Sequence, residues 1–341
     1  MKELLKELCL AFGPSGYEDS VKAIIKARLE KVATSACEII EDNLGGIYFH
    51  IPKNGAPRLM INAHMDEIAL MVTGATDNGE LRFERVGGID PLVLSSKRVI
   101  SENGIRGVIS SKPIHLLDKE ERSKKPTVDK MQIDIGASSK KEVLDACPIG
   151  TYFAFDSDFV KMGKKIKAKA LDDRHGCAEM LSAIEALAKN GFKVKYDLFF
   201  AFTTREEVSY SGANCATEII RPDYAVVIES KAVLDLPGVG SDKSVATLGD
   251  GALISYADRG AIMNRALTDS LIDTCEKNGI KYQINRAVSG GNDSATIQRG
   301  ALGTRVALVS APSRYIHSSS SVVDMDDLMA IRDLIFNFVK E

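Results

Sequence analysis

The chain has 341 residues, 45% hydrophobic and 27% charged, with a formal net charge of −3. This balance is that of a folded chain of about two domains and gives no electrostatic reason to bind nucleic acid or an anionic membrane. No apolar run reaches the length of a bilayer span. The six scattered cysteines, with no C-x-x-C pair, read as small buried residues of a reducing, cytoplasmic compartment.

The first twelve residues form an amphipathic pattern containing Glu3 and Glu7, which reads as a helix and not as a signal peptide. A second helix is expected over 20–32, where Val21, Ile24, Ile25, Leu29 and Val32 share one face. Strands follow at 39–42, 46–51 and 58–63. The last is almost wholly apolar, as in a sheet covered on both faces, and it delivers His64 and Asp66 at its C-terminal end. From 67 to 162 the texture changes to short strand-like runs (69–73, 81–86, 106–110, 150–155) punctuated by glycines. Only 140–146 reads as a helix there, and the charged stretch 118–130 reads as an exposed loop. This segment is expected to be a small β-barrel inserted into an α/β domain built from 1–66 and 163–341, acting as a lid or a stability element. A strand-like run at 167–171 then breaks at Asp172-Asp173 before a helix at 175–190. Strands at 196–204, 223–228, 281–285 and 305–310 alternate with helices at 213–220, 264–278 and 325–339. The class is α/β, with a mixed, mostly parallel central sheet flanked by helices.

Several polar residues fall at the C-terminal ends of the expected strands: His64 and Asp66, Glu206 and Glu207, Glu229, and His317 just beyond its strand. In open α/β sheets this edge holds the ligand crevice. Asp172 and Asp173 are neighbouring like charges, costly to bury unless a cation or strong donors neutralise them. Two histidines with three or more carboxylates suit Zn²⁺, and also Co²⁺ or Mn²⁺. Two such ions about 3.5–4 Å apart would share one carboxylate, and Asp172 is the candidate bridge. Each residue alone has an ordinary reading, as a helix cap, a charged helix start, a surface ion pair or a loop histidine. Their succession on consecutive strand ends points to one centre.

The stretches AHMD (63–66), PIH (113–115), ALDDR (170–174), TREEV (204–208), VIE (227–229), GGNDS (290–294) and RYIHS (314–318) carry a resemblance over nearly the whole chain. The chain resembles the dinuclear-metal aminopeptidases that assemble as tetrahedral particles, which include glutamyl and leucyl aminopeptidases and relatives labelled cellulases. The resemblance implies a zinc-peptidase-like fold and two divalent ions per subunit, Zn²⁺ first, with Co²⁺ or Mn²⁺ as alternatives. It implies His64 and Glu229 on one ion, Glu207 and His317 on the other, and Asp172 between them. Asp66 would orient the ring of His64, and Glu206 would be the general base toward a water activated by the cations. A cis peptide at Asp172-Asp173 is implied as well. So are short peptides as substrates and a homo-oligomer in which dimers build a twelve-subunit particle, with the insert as its oligomerisation surface. Glu229 stands where many members carry Asp, Arg205 where many carry Gln, and Asn292 where Thr is frequent; Ser209-Tyr210-Ser211 also departs from the commoner pattern. None of these removes a ligand, so they bear on substrate preference. The pocket for the substrate's first side chain is expected from loops 238–251 and 290–294, with Gly290, Gly291, Asn292 and Asp293 as candidate substrate contacts.

Two other functions are compatible with the same residues. One is a metal-dependent deacylase or carboxypeptidase using this site. The other, from a different class, is a non-catalytic metal-binding assembly protein, which would have no need of Glu206 beside the ligands. A glycosidase fits less well, because adjacent Glu206 and Glu207 do not supply opposed carboxylates about 5–9.5 Å apart.

Overall fold

Runs of β-branched and aromatic residues, cut by Gly, Pro and Asn, define the strands of the central sheet. The computed structural model describes residues 1–236, 238–239, 245–300 and 302–341. Helices α1 (Lys2–Leu10) and α2 (Asp19–Val32) open the chain, and α2 buries Val21, Ile25 and Leu29 as its apolar stripe requires. Strands β1 (Glu38–Glu41), β2 (Ile47–Ile51) and β3 (Arg58–His64) follow, with β3 buried from Leu59 onward.

The chain then leaves the sheet. Strands β4 (Ala69–Ala75), β5 (Leu81–Val86), β6 (Arg98–Ser101), β7 (Arg106–Ser110), β8 (Gln132–Asp134) and β9 (Tyr152–Phe155) close into a barrel in the order β4-β5-β8-β7-β6-β9. The barrel has its own core, including Leu81, Val99, Ile109, Ile133 and Phe153. Closure removes the free edges that such short strands would otherwise expose. Two short helices decorate it, α3 (Lys119–Ser123) and α4 (Lys140–Ala146). α4 starts at Ser139, whose Oγ accepts the Glu142 N–H while Glu142 Oε2 accepts the Ser138 N–H.

Beyond the barrel come β10 (Val160–Met162), β11 (Lys165–Ala168), α5 (Leu171–Lys189), β12 (Asp197–Thr203), α6 (Glu206–Ser209), α7 (Ser211–Ile220) and β13 (Tyr224–Ala232). The chain ends with β14 (Ala252–Ser255), α8 (Arg265–Asn278), β15 (Tyr282–Ile284), α9 (Ser294–Ile297), β16 (Arg305–Ser313), β17 (Ser321–Asp324) and α10 (Met325–Val339). The main sheet has the order β1-β2-β12-β3-β13-β16-β14-β15. Its centre, β12-β3-β13-β16, is parallel throughout. One face packs on α1, α2, α5, α8 and α10 through Leu5, Ile25, Ile184, Leu271 and Ile335, the other on α7 and α9 through Ala213, Ala216 and Ile297. A Leu or Ile buried in this way contributes about 1.5–3 kcal/mol relative to exposure.

The fold class agrees with expectation; the departures are local. The bounds of α5 start at Leu171, but Asp172 and Asp173 are non-helical and a kink separates them from the regular helix, which starts close to the expected His175. β13 runs on to Ala232, so Glu229 lies inside the strand and not at its end. The charged stretch 118–130 holds the short helix α3. Among the described residues no helix is long and apolar enough to cross a membrane, and all six cysteines are free.

Candidate metal centre

The parallel strands bring their C-terminal ends to one edge, with His64 on β3 opposite Thr203 on β12. The backbone turns that leave this edge are unusual. Ala170 (φ 50°), Arg205 (φ 58°) and His317 (φ 59°) adopt left-handed conformations that are costly for residues with a Cβ. Such strain gathers where surrounding contacts over-determine a functional geometry. The peptide between Asp172 and Asp173 is cis, as the resemblance implied.

Asp173 ties α5 to β3: its carboxylate accepts the His64 N–H at 3.3 Å and the Gly176 N–H at 3.2 Å. Only glycine fits at 176, because a Cβ there would lie 2.6 Å from Asp173 Oδ1 and 2.9 Å from Ala63 Cβ. Asp66 ties β3 to the turn after β12. Its Oδ1 accepts the Glu206 N–H at 3.0 Å, and its Oδ2 accepts from Ser15 Oγ at 2.6 Å and from the Glu207 N–H at 3.2 Å. His64 Nδ1 is 3.3 Å from Asp66 Oδ1. Glu18 Oε1 accepts the N–H groups of Gly16 and Arg205, at 2.7 and 3.2 Å. His317 Nδ1 donates to the carbonyl of Gly88 at 2.6 Å, so the barrel side of the molecule sets that ring's tautomer and leaves Nε2 facing the cleft.

Within this frame two triads form around one carboxylate. Asp172 Oδ1 lies 3.5 Å from His64 Nε2, which is 3.8 Å from Glu229 Oε1. Asp172 Oδ2 lies 3.3 Å from His317 Nε2, which is 3.2 Å from Glu207 Oε2. In each triad the candidate ligand atoms lie within 4.8 Å of one another. Glu206 stays outside both, with Oε2 3.9 Å from His64 Nε2. Asp172 Oδ1 is buried and receives no hydrogen bond. Burial opposes charge on His64, but Asp172, Asp66 and Glu229 overcome it and raise its pKa well above the ordinary value. Asp172 and Glu207 raise His317 to about 11 against the same opposition from burial. Burial, with Glu229 as a like-charged neighbour, raises Glu206 well above the carboxylate range, and burial with Asp172 does the same to Glu229. A nitrogen and oxygen donor set this short of positive charge fits one or two divalent cations.

All the ligand and base candidates read from the sequence, His64, Asp66, Asp172, Glu206, Glu207, Glu229 and His317, are thus brought together. Gly290, Gly291 and Asn292 line the cleft, a cavity of about 450 Å³. Asp293 does not line it; it sits behind, where its Oδ2 accepts from Asn62 Nδ2 at 2.8 Å and Thr203 Oγ1 at 2.9 Å. Burial raises its carboxyl to about 6. Of loop 238–251, residues 240–244 lie outside the described residues. His115 in the insert is exposed.

Sequence reasoning missed several participants. The polar chain Glu179-His175-Ser230 runs behind Glu229: His175 Nδ1 is 3.2 Å from Glu179 Oε1, and Nε2 is 3.0 Å from Ser230 Oγ. Ser15, Glu18 and Gly88 support the site through contacts distant in sequence, which no spacing pattern reveals. Lys231 also escaped notice, although its position two residues after Glu229 on an alternating strand was a usable signal. It is 8% exposed and lines the cleft; its ammonium donates to the Ser289 carbonyl. Burial pulls its pKa below the ordinary value.

A family model described as M42 glutamyl aminopeptidase matches residues 45–334. A solved TET aminopeptidase from the marine sediment archaeon Thaumarchaeota archaeon SCGC AB-539-E09 is 31% identical, covers 100% of this chain and 96% of its own, and superposes with a TM-score of 0.95. The TET1 peptidase of Pyrococcus horikoshii, solved as able to form a tetrahedron or a large octahedral shell, is 33% identical over 100% of this chain and 99% of its own, with a TM-score of 0.87. The lysyl aminopeptidase of Pyrococcus furiosus is 29% identical over 96% of this chain and 93% of its own length.

Proposed function

The chain belongs to the M42 family of glutamyl aminopeptidases and is a peptide-bond hydrolase of the aminopeptidase class; from that premise we propose that it removes N-terminal residues from short peptides by a metal-dependent reaction with Glu206 as general base. The observation that carries this reading is the sharing of Asp172 between two triads, one oxygen toward His64 and the other toward His317. His64 and Glu229 would hold one cation, Glu207 and His317 the other, with Asp172 bridging. Bound there, the cations would lower the pKa of water and polarise the scissile carbonyl.

The remaining work falls to this chain's own side chains. Glu206 is next to the ligands without being one of them, so its carboxylate is free to take a proton from the attacking water and return it to the leaving amine. Asp66 holds the backbone N–H groups of both Glu206 and Glu207 and so fixes the aim of base and ligand together. The Gly88 carbonyl keeps the protonated nitrogen of His317 away from the cleft. Residues 67–162 are read as an inserted unit that contributes to assembly as well as to the site. The shells formed by the Pyrococcus horikoshii TET1 peptidase support a homo-oligomer here, and the six free cysteines support a cytoplasmic location.

The test is release of free amino acids from unblocked peptides. Activity should vanish on chelation and return with Zn²⁺, Co²⁺ or Mn²⁺. Glu206→Gln should retain its metal while kcat falls by about 10²–10⁴-fold. A metal-replete wild type inert toward peptides, or a Glu206→Gln variant with unchanged kcat, contradicts the reading.

A further inference from the structure

We propose that Lys231 selects acidic residues at the substrate's N-terminus by pairing with their side-chain carboxylate. This rests on the aminopeptidase reading and names the substrate class that the family leaves open. The matching family is described as glutamyl, yet the Pyrococcus furiosus relative is a lysyl aminopeptidase. Members therefore differ even in the charge of the residue they remove, and the choice rests on this chain's own pocket.

The placement of Lys231 follows from strand geometry. Glu229 and Lys231 are alternate residues of β13, so they project to the same face about 6–7 Å apart along the strand. Both line the same cavity. A substrate whose scissile bond lies against Asp172 and Glu229 therefore has the Lys231 ammonium within reach of its first side chain. Opposite stand Gly290 and Gly291, whose missing side chains leave the space open; a Cβ on Gly290 would approach Lys231 Nζ at 3.7 Å.

Among the described residues the ammonium forms no direct ion pair, although Asp258 and Glu229 lie near enough to act on it through space. Its one hydrogen-bond partner among them is the Ser289 carbonyl. Of these two carboxylates Glu229 faces the proposed cation, and the oxygens of Asp258 are already engaged. Oδ1 accepts the N–H groups of Gly260 and Ala261 at 2.6 and 2.7 Å, and Oδ2 accepts from Asn292 Nδ2 at 2.9 Å and Ser294 Oγ at 3.4 Å. A desolvated cation whose one direct partner is neutral gains most from a ligand that brings a negative charge into contact with it. A glutamyl or aspartyl side chain does so; an isosteric glutamine does not, and a lysine adds repulsion.

The experiment compares kcat/KM on the p-nitroanilides of Glu, Gln, Leu and Lys for the metal-replete wild type, Lys231→Met and Lys231→Arg. The wild type should favour Glu over Gln by about 30-fold or more. Lys231→Met should bring that ratio to about one through loss on Glu alone, and Lys231→Arg should keep it. Inhibition of Leu-p-nitroanilide turnover by free glutamate more strongly than by glutamine reads the same selectivity without any variant. Equal turnover of Glu and Gln by the wild type, or a ratio that survives Lys231→Met, overturns the proposal while the aminopeptidase reading stands. A Lys231 engaged with the terminal carboxylate of a dipeptide would leave the anilides alike and favour Leu-Gly over Leu-Gly-amide, which also overturns it. No release from any of the four anilides removes the parent reading and the proposal together.

Discussion

Replacing Asp66 by Asn exchanges one oxygen for an NH₂ group at nearly constant size. In the native site Oδ1 accepts the Glu206 N–H at 3.0 Å and lies 3.3 Å from His64 Nδ1. Oδ2 accepts from Ser15 Oγ at 2.6 Å and from the Glu207 N–H at 3.2 Å. A hydroxyl can reverse its role and an imidazole can change tautomer, but a backbone N–H can do neither. Whichever way the amide turns, its NH₂ group therefore meets one backbone donor head-on. The cost is a lost charge-assisted hydrogen bond, about 1.5–3 kcal/mol, plus a buried donor left unpaired, about 1–3 kcal/mol. Together these place the destabilisation at about 2.5–6 kcal/mol. His64 Nδ1 also loses the carboxylate 3.3 Å away, which under the proposed ligation should weaken metal binding by about 10–100-fold. Urea unfolding of the chelated protein at fixed concentration measures the first effect and calorimetric titration with Zn²⁺ the second. A loss below about 1 kcal/mol with unchanged zinc affinity would refute the reasoning, since it would mean that Asp66 does not hold both sides of the site.

Other substitutions probe the supports separately. Burial, and then Asp66, raise Glu18 from 4.5 to about 7. The folded state thus binds this proton more tightly than the unfolded state, and the stability linked to it is fully present below pH 4.5 and lost as pH rises through 7. Glu18→Gln keeps the carbonyl-type acceptor at Oε1, so unfolding free energies measured from pH 4 to 8 should fall less steeply in the variant than in the wild type, the remaining decline belonging to the other carboxyls raised by burial, such as Asp293 and Glu229. Glu67 accepts from Lys169 Nζ at 2.6 and 2.8 Å and lies 3.5 Å from Arg174 Nη2, all three side chains being buried. Glu67→Gln leaves two buried cations uncompensated and should cost about 3–5 kcal/mol in urea unfolding. In Gly88→Ala the new Cβ would stand 3.3 Å from His317 Nδ1. Elemental analysis after dialysis should show selective loss of the ion assigned to Glu207 and His317.

Much of the fold was legible because it rests on local rules. α10 spans the predicted residues, since Leu328, Ile331, Ile335 and Phe338 repeat at helical spacing. The strand carrying His64 was recognisable from its unbroken apolar run. β17 was not, because Ser321 ends a run of serines and becomes strand only through pairing with β11. α3 was missed because its five residues carry no apolar stripe. The residues of the site could be found from their types and their places at or near strand ends, although Glu229 lies three residues inside β13. Their supports could not: Ser15, Glu18, Gly88 and the Glu179-His175-Ser230 chain act through contacts set by the tertiary fold. The break before α5 was legible, since Asp172 and Asp173 are non-helical as expected; what was not legible is that Asp173 is spent on the His64 and Gly176 amides.

The central claim is that two divalent cations lie on either side of Asp172, each completed by one histidine and one glutamate. An anomalous-difference map from crystals grown with Zn²⁺ tests it directly. Two peaks are expected about 3.5–4 Å apart, one against His64 and Glu229 and the other against Glu207 and His317, with Glu206 bound to neither. Peaks that do not flank Asp172, or a Glu206 carboxylate coordinated to zinc, would contradict it.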